Sequence, residues 1–165
     1  MPAVYVSLGS NIDRERHVRD GLAALHARFG SLLKSSVYKA PAEGFDGEDF
    51  YNLVIAFDTD ESIEAVATAL REIEEDHGRL RETPKLSSRT LDLDLLLYGD
   101  RIQTQRPPIV PREDIIRYAF VLGPLAEIAP RLSHPILGRS IGELWRTFGP
   151  KRQSIRRVDQ EAEPR

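Results

Sequence analysis

The sequence predicts one α+β domain in which helices cover one face of a mainly antiparallel sheet, and three observations support this. Strand-like and helix-like segments follow one another in the order β-α-β-β-α-β, with further elements after them. The chain has 165 residues, which is enough for a single hydrophobic core. Hydrophobic residues make up 41% and charged residues 30%, as is usual for globular proteins. Such an arrangement leaves the opposite face of the sheet free for a site.

The first half of the pattern lies in residues 4–49. Residues 4–8 predict a strand, which ends at a turn formed by residues 9–11. A helix follows that stops at Gly30, because apolar residues recur at spacings of three and four, namely at Val18, Leu22, Leu25 and Phe29. Residues 35–39 predict a short strand, and residues 40–49 contain proline and glycine and predict a loop.

The second half of the pattern lies in residues 50–98. Residues 50–57 are rich in β-branched and aromatic side chains and predict a third strand. Asp60 or Ser62 is suited to cap a second helix that ends near Gly78, with an apolar face formed by Ile63, Val66, Leu70 and Ile73. Residues 78–88 show no periodicity and predict a loop, and residues 90–98 predict a fourth strand.

The C-terminal part of the chain is less regular. Three prolines between residues 107 and 111 predict an extended connection, followed by a short helix at residues 114–118 and a strand at residues 120–122. Residues 151–165 are nearly all polar or charged. We therefore predict a single domain over residues 1–150 and a disordered tail over residues 151–165.

Charge and composition exclude several classes of function. The 23 basic and 26 acidic residues give a net charge of −3, which argues against a broad nucleic-acid surface. The sequence has no cysteine, which excludes disulfides, thiol nucleophiles and zinc–thiolate sites. No apolar run reaches the roughly 20 residues of a membrane span, and residues 1–3 lead directly into the first predicted strand, so we expect no secretory leader. We therefore expect a cytoplasmic protein, and we also expect it to be a monomer.

An acidic pair flanked by arginines is the strongest functional signal. Because side chains alternate along a strand, Asp92 and Asp94 are predicted to lie on one face, with Cα atoms roughly 6.5–7 Å apart. Magnesium takes one or two protein carboxylates and completes its shell with phosphate oxygens. Arg79, Arg81 and Arg89 precede or begin this strand and are suited to hold those phosphates. Two solvated aspartates within surface ion pairs are the alternative.

Two further segments give weaker signals. The turn at residues 9–11 precedes a helix, where an anion can bind, but a purely structural turn is favoured. Phe50 and Asn52 open the third strand and are suited to stack on a flat heterocycle and hydrogen-bond its edge, unless they are a core aromatic and a strand-end amide. The four histidines have no metal-ligand spacing, and no glycine-rich phosphate or dinucleotide motif is present.

In their order along the chain, these segments resemble the 2-amino-4-hydroxy-6-hydroxymethyldihydropteridine pyrophosphokinase (HPPK) family of folate biosynthesis. The resemblance covers residues 4 to about 130. Its most specific part is the R-T-x-D-x-D pattern at residues 89–94. The other matching pieces are residues 8–11, 41–44, 50–52, 73–74, 78–81, 110–111 and 120–125.

The resemblance implies a ferredoxin-like α+β fold and transfer of pyrophosphate from ATP to 6-hydroxymethyl-7,8-dihydropterin, with release of AMP. It implies that two Mg²⁺ ions are held by Asp92 and Asp94. It assigns catalytic and phosphate-binding roles to arginines, namely Arg79, Arg81 and Arg89. Further ATP contacts are implied for Glu74, Leu95 and Arg112. Pterin contacts are implied for Glu43, Phe50, Asn52 and Phe120.

Some positions depart from the family's pattern. Residues 86–88 are Leu-Ser-Ser, where the family commonly has Trp-Gly-Pro. Arg112 and Glu113 follow Pro111, where the family commonly has a histidine that helps to bind ATP phosphate. Arg112 would supply a positive charge that is independent of pH, while Glu113 adds a negative charge nearby. A non-catalytic or altered-specificity relative that binds nucleotide or pterin as a regulatory module is therefore the alternative function.

Overall fold

The computed structural model describes residues 1–42, 47–78 and 91–158. Within them the strands are β1 (Ala3–Ser10), β2 (Leu33–Lys34), β3 (Tyr38–Ala40), β4 (Phe50–Asp58), β5 (Asp92–Tyr98) and β6 (Arg156–Arg157). The helices are α1 (Arg14–Phe29), α2 (Ile63–Asp76), α3 (Asp114–Arg117), α4 (Ala119–Ile128) and α5 (Ile141–Arg146), and a 3-10 helix spans Pro150–Ser154. None of the helices in these ranges is long and apolar enough to cross a membrane.

The strands form one antiparallel sheet with β1 near its centre. Its order is β5-β1-β4-β3-β6, and β2 pairs with β4 beyond the end of β3. The pairing of β1 with β5 shifts between Tyr5 and Val6, because β5 contains one additional residue there, Leu96. The central β5-β1-β4 order, with a helix after β1 and after β4, confirms the predicted ferredoxin-like α+β arrangement.

One face of the sheet packs on α1 and α2, as the periodicity predicted. Its core contains strand residues such as Val6, Leu8, Leu53, Ile55, Leu93 and Leu95, and helix residues such as Val18, Leu25, Ile63, Val66 and Leu70. Ser62, rather than Asp60, begins α2, because its hydroxyl accepts a hydrogen bond from the Ala65 amide at 3.1 Å. Alternating apolar residues thus build a continuous core on this face.

The opposite face differs from the prediction, because it is not free along its whole length. The α3–α5 region covers one part of it and forms a second core over Val54, Leu96 and Leu97. The strand predicted at residues 120–122 is wrong, since these residues belong to α4. This segment is apolar on nearly all sides, and a short apolar run does not distinguish a buried helix from a strand. Gly9 and Asp92 lie outside the second core, at the other end of the face.

Of the strand predicted at residues 35–39, only residues 38–39 lie in a strand, β3, while β2 ends before the predicted range. Strand pairing is interrupted at Ser35 and Ser36, because their hydroxyl groups form hydrogen bonds with other parts of the protein. The Ser35 hydroxyl accepts a hydrogen bond from the Val54 amide at 3.0 Å. The Ser36 hydroxyl donates to the Glu127 carboxylate of α4 at 2.9 Å. Such local side-chain bonds compete with regular strand pairing.

The predicted disorder of the C-terminal tail is wrong for residues 151–158. Here β6 pairs with β3, and the Val158 amide donates to the Val37 carbonyl at 2.8 Å. Ile155 packs closely on α4, since a Cβ added at Gly123 would lie 2.7 Å from its Cδ1 atom. Backbone pairing at a sheet edge does not require apolar side chains, which is why composition predicted the wrong state. Residues 159–165 lie outside the described residues.

Candidate active site

Neighbouring strands place a row of side chains across the end of the sheet that lies outside the second core. Gly9 of β1 lies opposite Asp92 of β5 on one side and opposite Asn52 of β4 on the other. Asn52 in turn lies opposite Tyr38 of β3. Residues in direct register present their side chains to the same face. Because neighbouring strands are about 4.8 Å apart, the strands that carry Asp92 and Asn52 are separated by roughly 10 Å.

The acidic pair lies on this face, as strand alternation predicted. Asp94 lies opposite Ser7 of β1, and Leu93 between the two aspartates is buried in the core beneath α1 and α2. Burial, followed by the negative charge of Asp92, raises the pKa of the Asp94 carboxyl to about 8, although Arg112 opposes the shift. Two carboxylates that repel each other in this way favour a bound cation.

Arg112 joins this pair to a third carboxylate. Its Nη2 atom lies 3.5 Å from Oδ1 of Asp94, and its Nε atom lies 3.2 Å from Oδ2 of Asp114. The Arg112 amide donates to the Leu96 carbonyl at 2.9 Å, which fixes the residue beside β5. Burial alone would lower the pKa of the guanidinium, but Asp94 and Asp114 outweigh it and raise that pKa. The contact to Asp114 was missed by the sequence analysis, which had no pattern linking these positions.

Glu113 does not join the acidic pair, although it is adjacent to Arg112 in sequence. Its side chain is 70% exposed and lies 3.4 Å from the Arg117 guanidinium. Its charge is therefore paired with Arg117 and exposed to solvent, which screens it. The positive charge of Arg112, rather than the negative charge of Glu113, dominates near Asp94.

Glu74 and Leu95, for which the resemblance implies ATP contacts, have structural surroundings. The Glu74 carboxylate is buried and accepts a hydrogen bond from the Leu93 amide at 2.6 Å, which ties α2 to β5. The Leu95 side chain is 7% exposed and lies in the core, so that its main chain is the part suited to contact a ligand. Their contacts with ATP remain predictions.

The other end of the row combines an amide, an aromatic ring and a glycine. A Cβ added at Gly9 would lie 2.9 Å from Oδ1 of Asn52 and 3.6 Å from Cδ2 of Phe50, so both side chains lie over this glycine. Asn52 is 4% exposed, and its buried Nδ2 atom has no hydrogen-bond partner among the described residues. A buried amide donor without a partner is costly unless a ligand or water completes it. This observation supports a ligand with hydrogen-bond acceptors on its edge.

Phe120 lies in the first turn of α4, which packs on the same face of the sheet as Asn52. Its ring is half-buried and stacks on Tyr118, with centroids 4.9 Å apart and an interplanar angle of 18°. Tyr118 was missed by the sequence analysis, although it lies two residues before an aromatic that had been singled out. Glu127, near the other end of α4, accepts a hydrogen bond from the Tyr38 hydroxyl at 2.7 Å and so ties α4 to β3.

The turn at residues 9–11 has a structural role, as the sequence analysis favoured. The buried Asn11 amide donates to the Glu48 carbonyl at 3.1 Å. Arg14 donates to the Asp49 carbonyl at 2.6 Å and stacks over the Tyr51 ring at 4.3 Å. These bonds hold residues 48–51 where they enter β4 and thereby position the side chain of Phe50.

Several predicted site residues lie outside the described residues. They are Glu43, Arg79, Arg81 and Arg89, together with residues 86–88 and most of the two predicted loops. The roles implied for them stay predictions. The structure brings together Asp92, Asp94 and Arg112 at one end of the row, and Phe50 and Asn52 at the other.

The donor set fits magnesium bound together with a polyphosphate. Among the described residues, no group of three or more histidine, aspartate or glutamate side chains could hold a metal ion. The pair of Asp92 and Asp94 matches the needs of Mg²⁺, which is bound by one or two carboxylates and otherwise by water and phosphate oxygens. Arg112 adds a planar guanidinium that can grip phosphate oxygens in a fixed geometry.

Comparison with known proteins identifies the family of this fold and site. The model of the 7,8-dihydro-6-hydroxymethylpterin-pyrophosphokinase (HPPK) family matches residues 5–130. The chain belongs to the HPPK family. The resemblance carried by the sequence motifs is thereby confirmed, and the matched range includes the acidic pair, Arg112, Asn52 and Phe120.

Two bacterial relatives are called 2-amino-4-hydroxy-6-hydroxymethyldihydropteridine pyrophosphokinase. That of Pseudomonas aeruginosa is 37% identical over 145 residues, covering 86% of this chain and 88% of the relative. That of Bacillus subtilis is 35% identical over 133 residues, covering 78% of each. The Pneumocystis carinii folic acid synthesis protein fol1 is 34% identical over 146 residues, which are 87% of this chain and only 20% of that protein.

The fold is shared with a solved structure of Plasmodium falciparum HPPK-DHPS. The TM-score is 0.73 at 12% sequence identity, and the match covers 94% of this chain and 47% of the Plasmodium chain. This chain thus spans about half the length of that protein and a smaller part of the Pneumocystis protein. At this identity the likeness supports the α+β fold alone.

Proposed function

We propose that this chain transfers pyrophosphate from ATP to the hydroxymethyl oxygen of 6-hydroxymethyl-7,8-dihydropterin and releases AMP, in folate biosynthesis. The observation that carries the proposal is the row across the sheet, in which the acidic pair shares one face with a buried amide donor that has no hydrogen-bond partner among the described residues. The first suits a metal–polyphosphate and the second suits the edge of a heterocycle. Membership of the HPPK family supports the same reaction.

The reaction exchanges one phosphorus–oxygen bond for another. The hydroxymethyl oxygen attacks the β-phosphorus of ATP and loses its proton, while the bond from that phosphorus to the α–β bridging oxygen breaks and AMP leaves with this oxygen. Catalysis of this kind depends on positioning and on stabilisation of negative charge rather than on a covalent intermediate. Two Mg²⁺ ions, held by Asp92 and Asp94, would supply positive charge to the phosphate oxygens when bound.

The chain's own residues bind and orient the two substrates. Arg112 would hold phosphate oxygens close to the acidic pair. The Asn52 amide would donate to a ring acceptor of the pterin, and Phe50 and Phe120 would contact its faces. By family resemblance, Glu43 would complete the pterin site, Glu74 and Leu95 would contact ATP, and the remaining phosphate contacts and catalytic roles would fall to Arg79, Arg81 and Arg89.

AMP release in the presence of both substrates tests this function. The protein is incubated with Mg-ATP and 6-hydroxymethyl-7,8-dihydropterin, and AMP and the pterin pyrophosphate are followed by chromatography and phosphorus NMR. Asp94→Asn should lower kcat by about 10²–10³-fold or more, because one metal ligand becomes neutral. Asp100→Asn is the matched control, since Asp100 is exposed in the turn after β5.

Three results would contradict the proposal. One is AMP formation that does not require the pterin, and another is equal activity of wild type and Asp94→Asn. The third is binding of ATP and pterin without any product, which would favour a regulatory binding module instead. Circular dichroism of each variant ensures that the comparison is made on folded protein.

The remaining expectations are proposals of the same kind. We propose that the protein acts as a monomer in the cytoplasm, with small-molecule substrates and without nucleic acid, in keeping with its net charge of −3. Size-exclusion chromatography with light scattering at several concentrations tests the monomer, and a mass of two chains would contradict it.

A further inference from the structure

We propose that Arg112 is a built-in counter-ion of the acidic pair, which weakens metal binding by the nucleotide-free protein and makes metal and nucleotide bind cooperatively. The proposal rests on the proposed function and concerns the same site. Arg112 acts here as a positioning residue, whose guanidinium contacts Asp94 when no phosphate is bound and phosphate oxygens when the nucleotide is bound.

The contacts of the guanidinium support the first half of this exchange. Its Nη2 atom lies 3.5 Å from the Asp94 carboxylate, on the same aspartate that is proposed to hold the metal. The side chains of Arg112 and Asp94 are 30% and 25% exposed, so water only partly screens their attraction. A metal ion that binds Asp94 must therefore compete with a positive charge already present.

The charge balance explains why a metal alone is a poor replacement. When all three are ionised, Asp92, Asp94 and Asp114 carry three formal negative charges around the single positive charge of Arg112. A divalent cation on the acidic pair cancels the remaining charge, but it then lies next to the guanidinium and repels it. A polyphosphate removes this conflict, since its oxygens bind both the metal and the guanidinium.

Asp114 explains how the guanidinium stays near the site during the exchange. Its carboxylate lies 3.2 Å from Nε of Arg112, which is a different nitrogen from the Nη2 that contacts Asp94. The Arg112 amide is also bonded to the Leu96 carbonyl at 2.9 Å. The guanidinium can therefore leave Asp94 by a small movement while its main chain and its contact with Asp114 remain in place. A guanidinium has five N–H donors, so contact with Asp114 leaves others for phosphate.

Binding measurements without turnover test this inference. Mn²⁺ serves as the metal probe, detected by its electron paramagnetic resonance signal, and α,β-methylene-ATP serves as the nucleotide that cannot be cleaved at the relevant bond. Metal affinity is measured with and without the analogue, and analogue affinity with and without metal. The ratio of the affinities gives the coupling between the two ligands, which must be the same in both directions.

Arg112→Gln should change the two affinities in opposite directions. Without nucleotide it should bind Mn²⁺ about threefold to tenfold more tightly than wild type, because the competing charge is gone. At saturating metal it should bind the analogue roughly tenfold more weakly, because phosphate oxygens lose a charged donor. Arg112→Lys retains the positive charge but loses the planar set of paired N–H donors. Its metal affinity should therefore stay near that of wild type, while its affinity for the analogue falls.

Arg117→Gln is the matched control, because Arg117 is exposed and pairs with Glu113 outside the acidic pair. It should leave both affinities unchanged. The inference is overturned if Arg112→Gln leaves metal affinity unchanged or weakens it, as expected for an ion pair that only stabilises the fold. If Arg112→Gln does not fold, Arg112→Lys tests the inference instead. An increase in Mn²⁺ affinity in this variant, which retains the positive charge, would also contradict the inference.

The results distinguish failure of this inference from failure of the proposed function. If AMP is released normally but Arg112→Gln does not tighten metal binding, the inference fails while the function stands. If metal and analogue bind cooperatively through Arg112 but no pterin pyrophosphate forms, the inference stands and the proposed function fails.

Discussion

The two faces of the sheet differ in how their residues are arranged. The face under α1 and α2 is mainly apolar, with strand residues such as Leu8 and Ile55 fully buried. The opposite face changes character along its length. One end packs under α4 through Val54, and the other carries Gly9, Asn52 and the acidic pair.

This difference indicates that stability and activity depend on different faces. The continuous core gains free energy from burial of apolar area, which any well-packed set of side chains provides. The site end holds like charges together and leaves a buried amide donor without a partner among the described residues, both of which oppose folding. Substitutions on the helix-covered face should therefore lower stability and leave activity unchanged. Substitutions at the site end should lower activity or ligand affinity with little loss of stability.

The largest expected effect is on the helix-covered face. Leu25→Ala in α1 removes a fully buried side chain and should lower the free energy of unfolding by about 2–5 kcal/mol. Activity per folded molecule should not change, because Leu25 belongs to the core on the other side of the sheet. Urea unfolding gives the first quantity and AMP release at low temperature gives the second. Leu33→Ala, at a residue that is 54% exposed, is the matched control.

The next effect concerns the buried amide of the site end. Asn52→Leu replaces a donor that has no partner in the described part of the chain by an apolar side chain of similar size, so the free energy of unfolding should change by less than about 1 kcal/mol. Pterin affinity should fall by about 10–100-fold, since a buried ligand acceptor loses its donor. Isothermal titration with the pterin and with α,β-methylene-ATP separates the two sites. Equal losses for both ligands would contradict a pterin-specific role.

The acidic pair should destabilise the metal-free protein at high pH. The pKa of Asp94 is raised from 3.8 to about 8 in the folded state, so the folded protein holds this proton more tightly than the unfolded chain. The associated stability is therefore lost as pH rises from near 4 to near 8. Asp94→Asn removes this contribution, so between about pH 5 and about pH 9 its free energy of unfolding should fall by about 4 kcal/mol less than that of wild type.

Urea unfolding in the presence of EDTA measures this difference, because titrating groups away from Asp94 contribute equally to both proteins. Parallel stability curves for the two proteins would show that Asp94 is not perturbed. Added Mg²⁺ should reduce the difference at high pH, since a bound cation stabilises the charged carboxylate.

The smallest effect is expected at Gly9, the glycine beneath the proposed pterin site. Gly9→Ala places a Cβ 2.9 Å from Oδ1 of Asn52, which must then move. The pterin KM should rise about threefold to tenfold with a smaller change in kcat. In an Asn52→Ser background the same substitution should have less effect, because the side chain that it displaces is shorter. An undiminished effect in the double variant would assign the change to the backbone instead.

The sequence predicted those features that follow from periodicity. The helices α1 and α2 and the placement of Asp92 and Asp94 on one face are consequences of the helical and strand repeats. The motif order also predicted the family, which the family match confirms. The ATP, metal and pterin roles of individual residues stay predictions.

Features that depend on contacts between distant segments were not predictable in this way. The strand expected at residues 120–122 is helical because a fully apolar segment has no distinguishing period. The ordered residues 150–158 depend on the exposed edge of β3, which composition does not reveal. The contact of Arg112 with Asp114 and Asp94 requires the connection after β5 to return to that strand, and no repeat encodes this.

The additional residue in β5 has a consequence for how the two ends of the site face are joined. Leu96 breaks the regular pairing with β1, and both it and Leu97 pack under α4. Its carbonyl group is also the acceptor that holds the Arg112 amide. Removal of this residue would restore an unbroken ladder and leave the aspartates on their face, but it would also remove the carbonyl group that accepts the hydrogen bond from Arg112. The single additional residue Leu96 therefore helps to determine the distance between the acidic pair and the guanidinium of Arg112.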